Sequence, residues 1–174
     1  MFEEYLEDAY YFATEAKEKA VEREAKRYYR ASVFYTASAL EAFVSYISGL
    51  LIQGGLQPYE IALLTDKKFR LNKGKFELSE IFELHGIEDK VRFLFCKYKP
   101  AFDFEHSSVW SQFIEFKNFR NAITHPVHED DEISINDYQK KIKIGLSAII
   151  EIINCLCKEI IGKPLRPKIK DLTL

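Results

Sequence analysis

The chain has 174 residues, nearly half of them apolar, with 14 Phe but only seven Gly and five Pro. That length and composition support a packed core of long helices that needs no disulfide staples and argue against a disordered chain. A formal net charge of -2 provides no global attraction to nucleic acid, so any RNA contact has to use a local patch.

The acidic start, Met1-Phe2-Glu3-Glu4, lacks the basic-then-apolar order of a signal peptide. Helical spacing of Leu6, Ala9, Ala13, Ala16 and Ala20 predicts a first helix from about Phe2 to Glu22. A second is expected from about Glu24 to Gln53, on Tyr28, Ala31, Phe34, Leu40, Val44 and Ile47, ended by Gly54-Gly55. No breaker divides the two, so one continuous rod is an open alternative. Pro58 starts a short helix, about Tyr59 to Leu64. Thr65 to Ser79 is the least regular part and is basic, with Lys67, Lys68, Arg70, Lys73 and Lys75 interleaved by Phe69 and Phe76. Those cations suit RNA phosphates and the rings suit base stacking, while a solvated loop folded onto the bundle is the plainer reading.

A helix from Ile87 to Tyr98 follows Gly86 and is closed by Pro100. Ser107 or Ser108 caps the next, whose Trp110, Phe113, Phe116 and Phe119 carry a large apolar surface. After an acidic loop, Glu129 to Glu132, a last helix is expected from about Ile135 to Ile161, capped near Ser134. Gly162-Lys163-Pro164 stops it. The organisation expected is a single all-α domain over residues 1–161, a bundle of about four long helices plus short ones, with a basic tail over 162–174. Charge or Gly interrupts the longest apolar stretches, so no membrane span is expected. Cys96, Cys155 and Cys157 have no zinc spacing and read as free thiols of a reducing cytoplasm.

Chemistry gathers at one place: Arg120-Asn121-Ala122-Ile123-Thr124-His125, followed by Pro126, where the aromatic-rich helix expires. A permanent cation, an amide and a titratable imidazole suit phosphate chemistry without a metal. In a regular helix Asn121 and His125 are separated by about 40° around the axis, but Arg120 and His125 by about 140°. Pro126 disfavours helical geometry at His125 and so relaxes the last turn. The plain alternative is structural, with Arg120 in an ion pair, Asn121 in a hydrogen bond across the bundle and His125 capping carbonyls.

The Arg-polar-x3-His run resembles the signature of the HEPN superfamily, helical domains that include many metal-independent ribonucleases of toxin–antitoxin and defence systems. The stretch from Tyr28 to Ile47 looks like the long core helix of such domains, and the likeness covers roughly residues 1 to 161. The resemblance implies a dimeric, cofactor-free endoribonuclease with Arg120, Asn121 and His125 as its catalytic set, RNA as substrate and an antitoxin protein as a partner. A non-catalytic module binding a nucleotide, RNA or a protein through the same groove is the alternative, and a plain helical scaffold the third.

Glu41, set among Ala39, Leu40, Ala42, Phe43 and Val44, is expected to face the core or a cleft and to orient the motif, or else to form a structural ion pair or simply to be exposed. His125 and His128 with the acidic run invite a metal reading that Pro126 opposes by breaking helical register. His85 and His106, near turns, read as surface or capping residues. No Walker A, GxGxxG, GxSxG or HExxH sequence is present.

Overall fold

The structure, a computed structural model, describes residues 1–125 and 133–174. The described elements in chain order are α1 (Phe2–Lys17), α2 (Glu22–Gln53), α3 (Pro58–Thr65), β1 (Lys67–Asn72), β2 (Lys75–Phe82), α4 (Ile87–Tyr98), α5 (Ser108–Thr124), α6 (Ile135–Leu156), a π-helical turn (Cys157–Ile161) and α7 (Pro167–Lys170). The chain is thus mainly helical, as expected from its composition. It divides into two compact units, residues 1–40 with 101–174, and residues 41–100, with the boundary inside α2.

In the first unit α1 and the start of α2 form an antiparallel pair, not a continuous rod. Tyr5 packs edge-on to Tyr35 at 5.9 Å, Phe12 stacks on Tyr35 at 5.3 Å, and Phe12 also meets Tyr28 at 6.0 Å. Buried Ala9, Ala13 and Ala16 keep the backbones close enough for the Ser32 hydroxyl to donate to the Ala9 carbonyl at 2.7 Å. That packing reverses the chain between Lys17 and Glu22 although no Gly or Pro marks the turn. By length and composition alone α2 is also long and apolar enough to cross a membrane. Its Tyr29, Val33, Leu40, Phe43 and Ile47 are buried in protein, while Phe34, Tyr46, Leu50 and Ile52 are exposed.

Helices α5 and α6 form the heart of the first unit. Gly145 of α6 sits against the ring of buried Phe116 so closely that a Cβ there would fall 2.0 Å from Phe116 Cδ2. Above this contact α6 buries Ile142, Leu146, Ile149 and Ile153, the broad apolar face anticipated from its spacing. Helix α6 runs into the π turn, which is closed by Gly162 in the left-handed region at φ 76°. Cys157 in that turn is a free thiol whose pKa burial, and then the Glu3 carboxylate, push up to about 11. Residues 162–174, expected as a basic tail, pack as part of this unit. Leu165 and Ile169 are buried, the Leu165 N–H donates to Asn154 Oδ1, and Arg166 and Lys168 pair with Glu3 and Glu7 of α1.

The second unit holds α3, the hairpin and α4 around Ala62, Leu64, Val91, Leu94 and Phe95. Its hairpin corrects the reading of Thr65 to Ser79 as irregular. Lys73 and Gly74 both have positive φ, 48° and 81°, the two-residue turn whose twist matches paired strands. Phe69 opposes Leu78 and Leu71 opposes Phe76, while Arg70 opposes Glu77, so one face is apolar and the other charged. Glu60 anchors α3. It closes a capping box with Gln57 and accepts from Lys97 of α4 at 2.6 Å. Burial works to raise the Glu60 pKa, but the Lys97 ammonium and the Gln57 N–H outweigh it and hold the value below the usual 4.5. Seen from the other side, the Glu60 hydrogen bond raises the Lys97 pKa.

Two outcomes follow from these contacts. Gly145→Ala forces a methyl into the Phe116 ring, and chemical denaturation should show a loss of about 2 kcal/mol or more. Glu60→Gln should cost about 1–2 kcal/mol at neutral pH, after allowance for the exposure of Lys97. Because the folded-state pKa of Glu60 is depressed, its contribution is present above 4.5 and is lost as pH falls through the lower folded value. The acid limb of a stability–pH curve should therefore be shallower in Glu60→Gln than in the native chain.

Candidate active site

The motif turn is held from both ends of α5. At the start, Ser107 Oγ accepts the Trp110 N–H at 3.2 Å, and the rings of Phe102, Phe104, Trp110 and Phe113 follow one another at 4.8, 4.8 and 5.2 Å. At the finish, Phe119 stands edge-on to Tyr138 of α6 at 5.5 Å, and Tyr138 stacks on Tyr29 of α2 at 5.9 Å. Gln139 in turn donates to the Tyr29 hydroxyl at 2.7 Å. Aromatic pairs of this geometry add to burial and fix the orientation of the residues that follow Phe119.

Arg120 and Asn121 come next, and they touch. Arg120 Nη1 donates to Asn121 Oδ1 at 3.2 Å, which leaves the amide NH2 of Asn121 free to donate elsewhere. The Thr124 hydroxyl donates to the Arg120 carbonyl at 2.9 Å, and the His125 N–H donates to the Asn121 carbonyl at 2.9 Å. At His125 the backbone leaves the helix, with φ -128° and ψ 68°, and the residue is exposed. The helical angle of about 140° between Arg120 and His125 therefore no longer applies to the imidazole. Arg120 Nε is shielded from solvent with no hydrogen-bond partner among the described residues. A guanidinium, an amide and an imidazole thus share one open turn, with donor capacity left over for an anion.

Pro126, His128 and the acidic run Glu129 to Glu132 lie outside the described residues. Among the described residues no cluster of three or more His, Cys, Asp or Glu is arranged to hold a metal. Glu41 lies in the second unit, where it lines a cavity with Asp66, His85 and Lys90. Lys67, Lys68, Arg70, Lys73 and Lys75 belong to the hairpin of that unit. Lys67 faces Glu80 at 3.6 Å and Arg70 faces Glu77 at 3.8 Å, which leaves Lys68, Lys73 and Lys75 as its exposed cations without an ion pair among the described residues. Phe69 packs on Phe76, and Phe76 on Tyr59, so these rings partly cover one another. His106 bonds Asp103 at 2.9 Å in a surface turn, as a capping residue would.

The first unit also carries a basic concavity that the sequence reading passed over. Lys17, Lys140 and Lys143 line a cavity of about 630 Å³ together with Asn136 and Gln139. Its signal was the pair Lys140 and Lys143, three apart on the last helix and on one face of it.

No family model, curated protein or solved structure matches the chain.

The exposed residues of the motif turn bear little of the fold. Asn121→Ala and His125→Ala should each shift the denaturation free energy by no more than about 0.5 kcal/mol. Phe119→Ala should cost about 2 kcal/mol or more by removing the ring that meets Tyr138.

Proposed function

We propose that the chain is a metal-independent endoribonuclease of the HEPN type, acting as a toxin or defence effector in the cytoplasm, with no cofactor. The observation that carries this reading is the shared turn of Arg120, Asn121 and His125, with Arg120 bonded to Asn121 and the imidazole freed from the helix. Arg120 stabilises the charge that builds on the scissile phosphate, and the Asn121 amide orients it. The ribose 2'-oxygen attacks the adjacent phosphorus, and the bond from phosphorus to the 5'-oxygen breaks. The proton of the 2'-hydroxyl is removed by a base and one proton is delivered to the departing 5'-oxygen, with His125 serving one of these transfers. The products are a 2',3'-cyclic phosphate and a 5'-hydroxyl. A second copy of the chain supplies a second motif across one cleft, and a cognate antitoxin restrains the activity.

A second reading is a non-catalytic HEPN-like module that binds a nucleotide, RNA or a protein. It is favoured by the basic concavity of Lys17, Lys140 and Lys143, which suits phosphates whether or not cleavage follows.

The deciding experiment is cleavage of a mixed RNA pool in excess EDTA by the native chain and by folded His125→Ala. The expected result is cleavage by the native chain alone, with cyclic phosphate ends and a loss of about 100-fold or more in the variant. Binding without turnover by both would favour the second reading. Equal cleavage by both would remove His125 from the mechanism.

A further inference from the structure

The second unit contains a cavity of about 550 Å³, within the size range of small-ligand sites. Its floor is apolar, built from Val44 and Ile52 of α2, Leu64 of α3 and Ile87 of α4. Its polar groups come from three places in the sequence: Glu41 and Ser45 from α2, Asp66 from the end of α3, and His85 and Lys90 from the segment entering α4 and its first turns.

Two of the three charges in the wall cancel. Asp66 adopts the left-handed conformation that ends α3, at φ 55°, a region Asp tolerates. From there its carboxylate accepts the His85 N–H at 2.8 Å and the Lys90 ammonium at 2.6 Å. Burial works to raise the Asp66 pKa, but those two bonds hold it below its ordinary value, so the carboxylate is ionised and the pair is neutral as a whole.

What remains is unbalanced. Glu41, exposed at the rim of the cavity, has no hydrogen-bond or ion-pair partner among the described residues, and its carboxylate contributes the wall's one uncancelled charge. His85, read from sequence as an ordinary surface or capping residue, has its Nε2 shielded from solvent and lacking any hydrogen-bond partner there. A shielded polar atom left unpaired is destabilising, a cost that a ligand able to bond it would recover.

We propose that this cavity is a binding site for a small organic cation, a primary ammonium or guanidinium group carried on an apolar stem. The cation's N–H groups satisfy Glu41 and, in the tautomer that carries its proton on Nδ1, the Nε2 lone pair of His85, and the stem lies on Val44, Ile52, Leu64 and Ile87. An anion of the same shape meets the uncancelled Glu41 charge with no free cation to answer it. The site is independent of the ribonuclease reading, since every residue in it belongs to the second unit.

The test uses the full chain, labelled with nitrogen-15, titrated in turn with phenethylamine, 2-phenylethanol and phenylacetate. Phenethylamine should give saturable shifts at the amides of Ser45, Gly49, Thr65 and His85. The neutral and anionic probes should bind about tenfold more weakly or worse, the worth of one charge-assisted hydrogen bond. Glu41→Gln should weaken phenethylamine by about the same factor and leave 2-phenylethanol unchanged. His85→Phe, which puts a flat apolar ring in place of the imidazole and removes both ring nitrogens, should weaken phenethylamine as well. The proposal falls if phenylacetate binds as tightly as the amine, if the shifts map outside the cavity, or if Glu41→Gln binds the amine as the native chain does.

Discussion

The approach of Phe116 to Gly145 is the contact on which the first unit turns. A ring on one helix lies where any side chain on the facing residue of the other would collide with it. Such a contact sets both the separation and the rotation of α5 and α6, because sliding either helix by one residue would bring Ile144 or Leu146 onto the ring. The motif turn lies one helical turn beyond this contact, and Phe119 against Tyr138 carries the constraint to its edge. Arg120, Asn121 and His125 are therefore presented by a rigid element, while the residues themselves remain exposed or only half-buried. That division of labour, packing on one side of a helix end and donors on the other, is what a site for an anionic ligand needs.

Where local rules decided the structure, the sequence was legible. Ser107 caps α5 and Ser134 caps α6 as their side chains suggest, and the span Ile87 to Tyr98 is bounded by Gly86 and Lys99-Pro100 as read. The grouping of Arg120, Asn121 and His125 was legible too, because residues within one and a half turns cannot be far apart. The direct bond from Arg120 to Asn121 was not, since neighbours on a helix ordinarily point about 100° apart and only the length of the arginine stem brings the groups together.

Long-range packing decided the rest. The reversal between α1 and α2 has no Gly or Pro to announce it, and only the matching of Tyr5 and Phe12 to Tyr35 and Tyr28 across the pair requires it. The hairpin hid behind its charges. Its alternation is blurred by Lys67-Lys68 and by a bulge between Lys67 and Phe69, and its turn uses Lys73-Gly74 in place of the more familiar Asn-Gly. The polar wall around Glu41 was out of reach for a different reason. It draws on three places about 20 residues apart along the chain, Glu41 and Ser45 in α2, Asp66 at the end of α3, and His85 with Lys90 at the start of α4, and no local pattern joins them.

The division of the chain has a consequence for its synthesis. Residues 41–100 form a contiguous unit, whereas the other unit is assembled from 1–40 and 101–174. A ribosome releasing the chain from its N-terminus delivers every part of the second unit before α5 exists. The first unit, by contrast, lacks both its central helix pair and the segment that clamps Glu3 and Glu7 until residues 101–174 have emerged. The Arg120 turn consequently acquires its supports only after every residue that lines the cavity of the second unit has been synthesised.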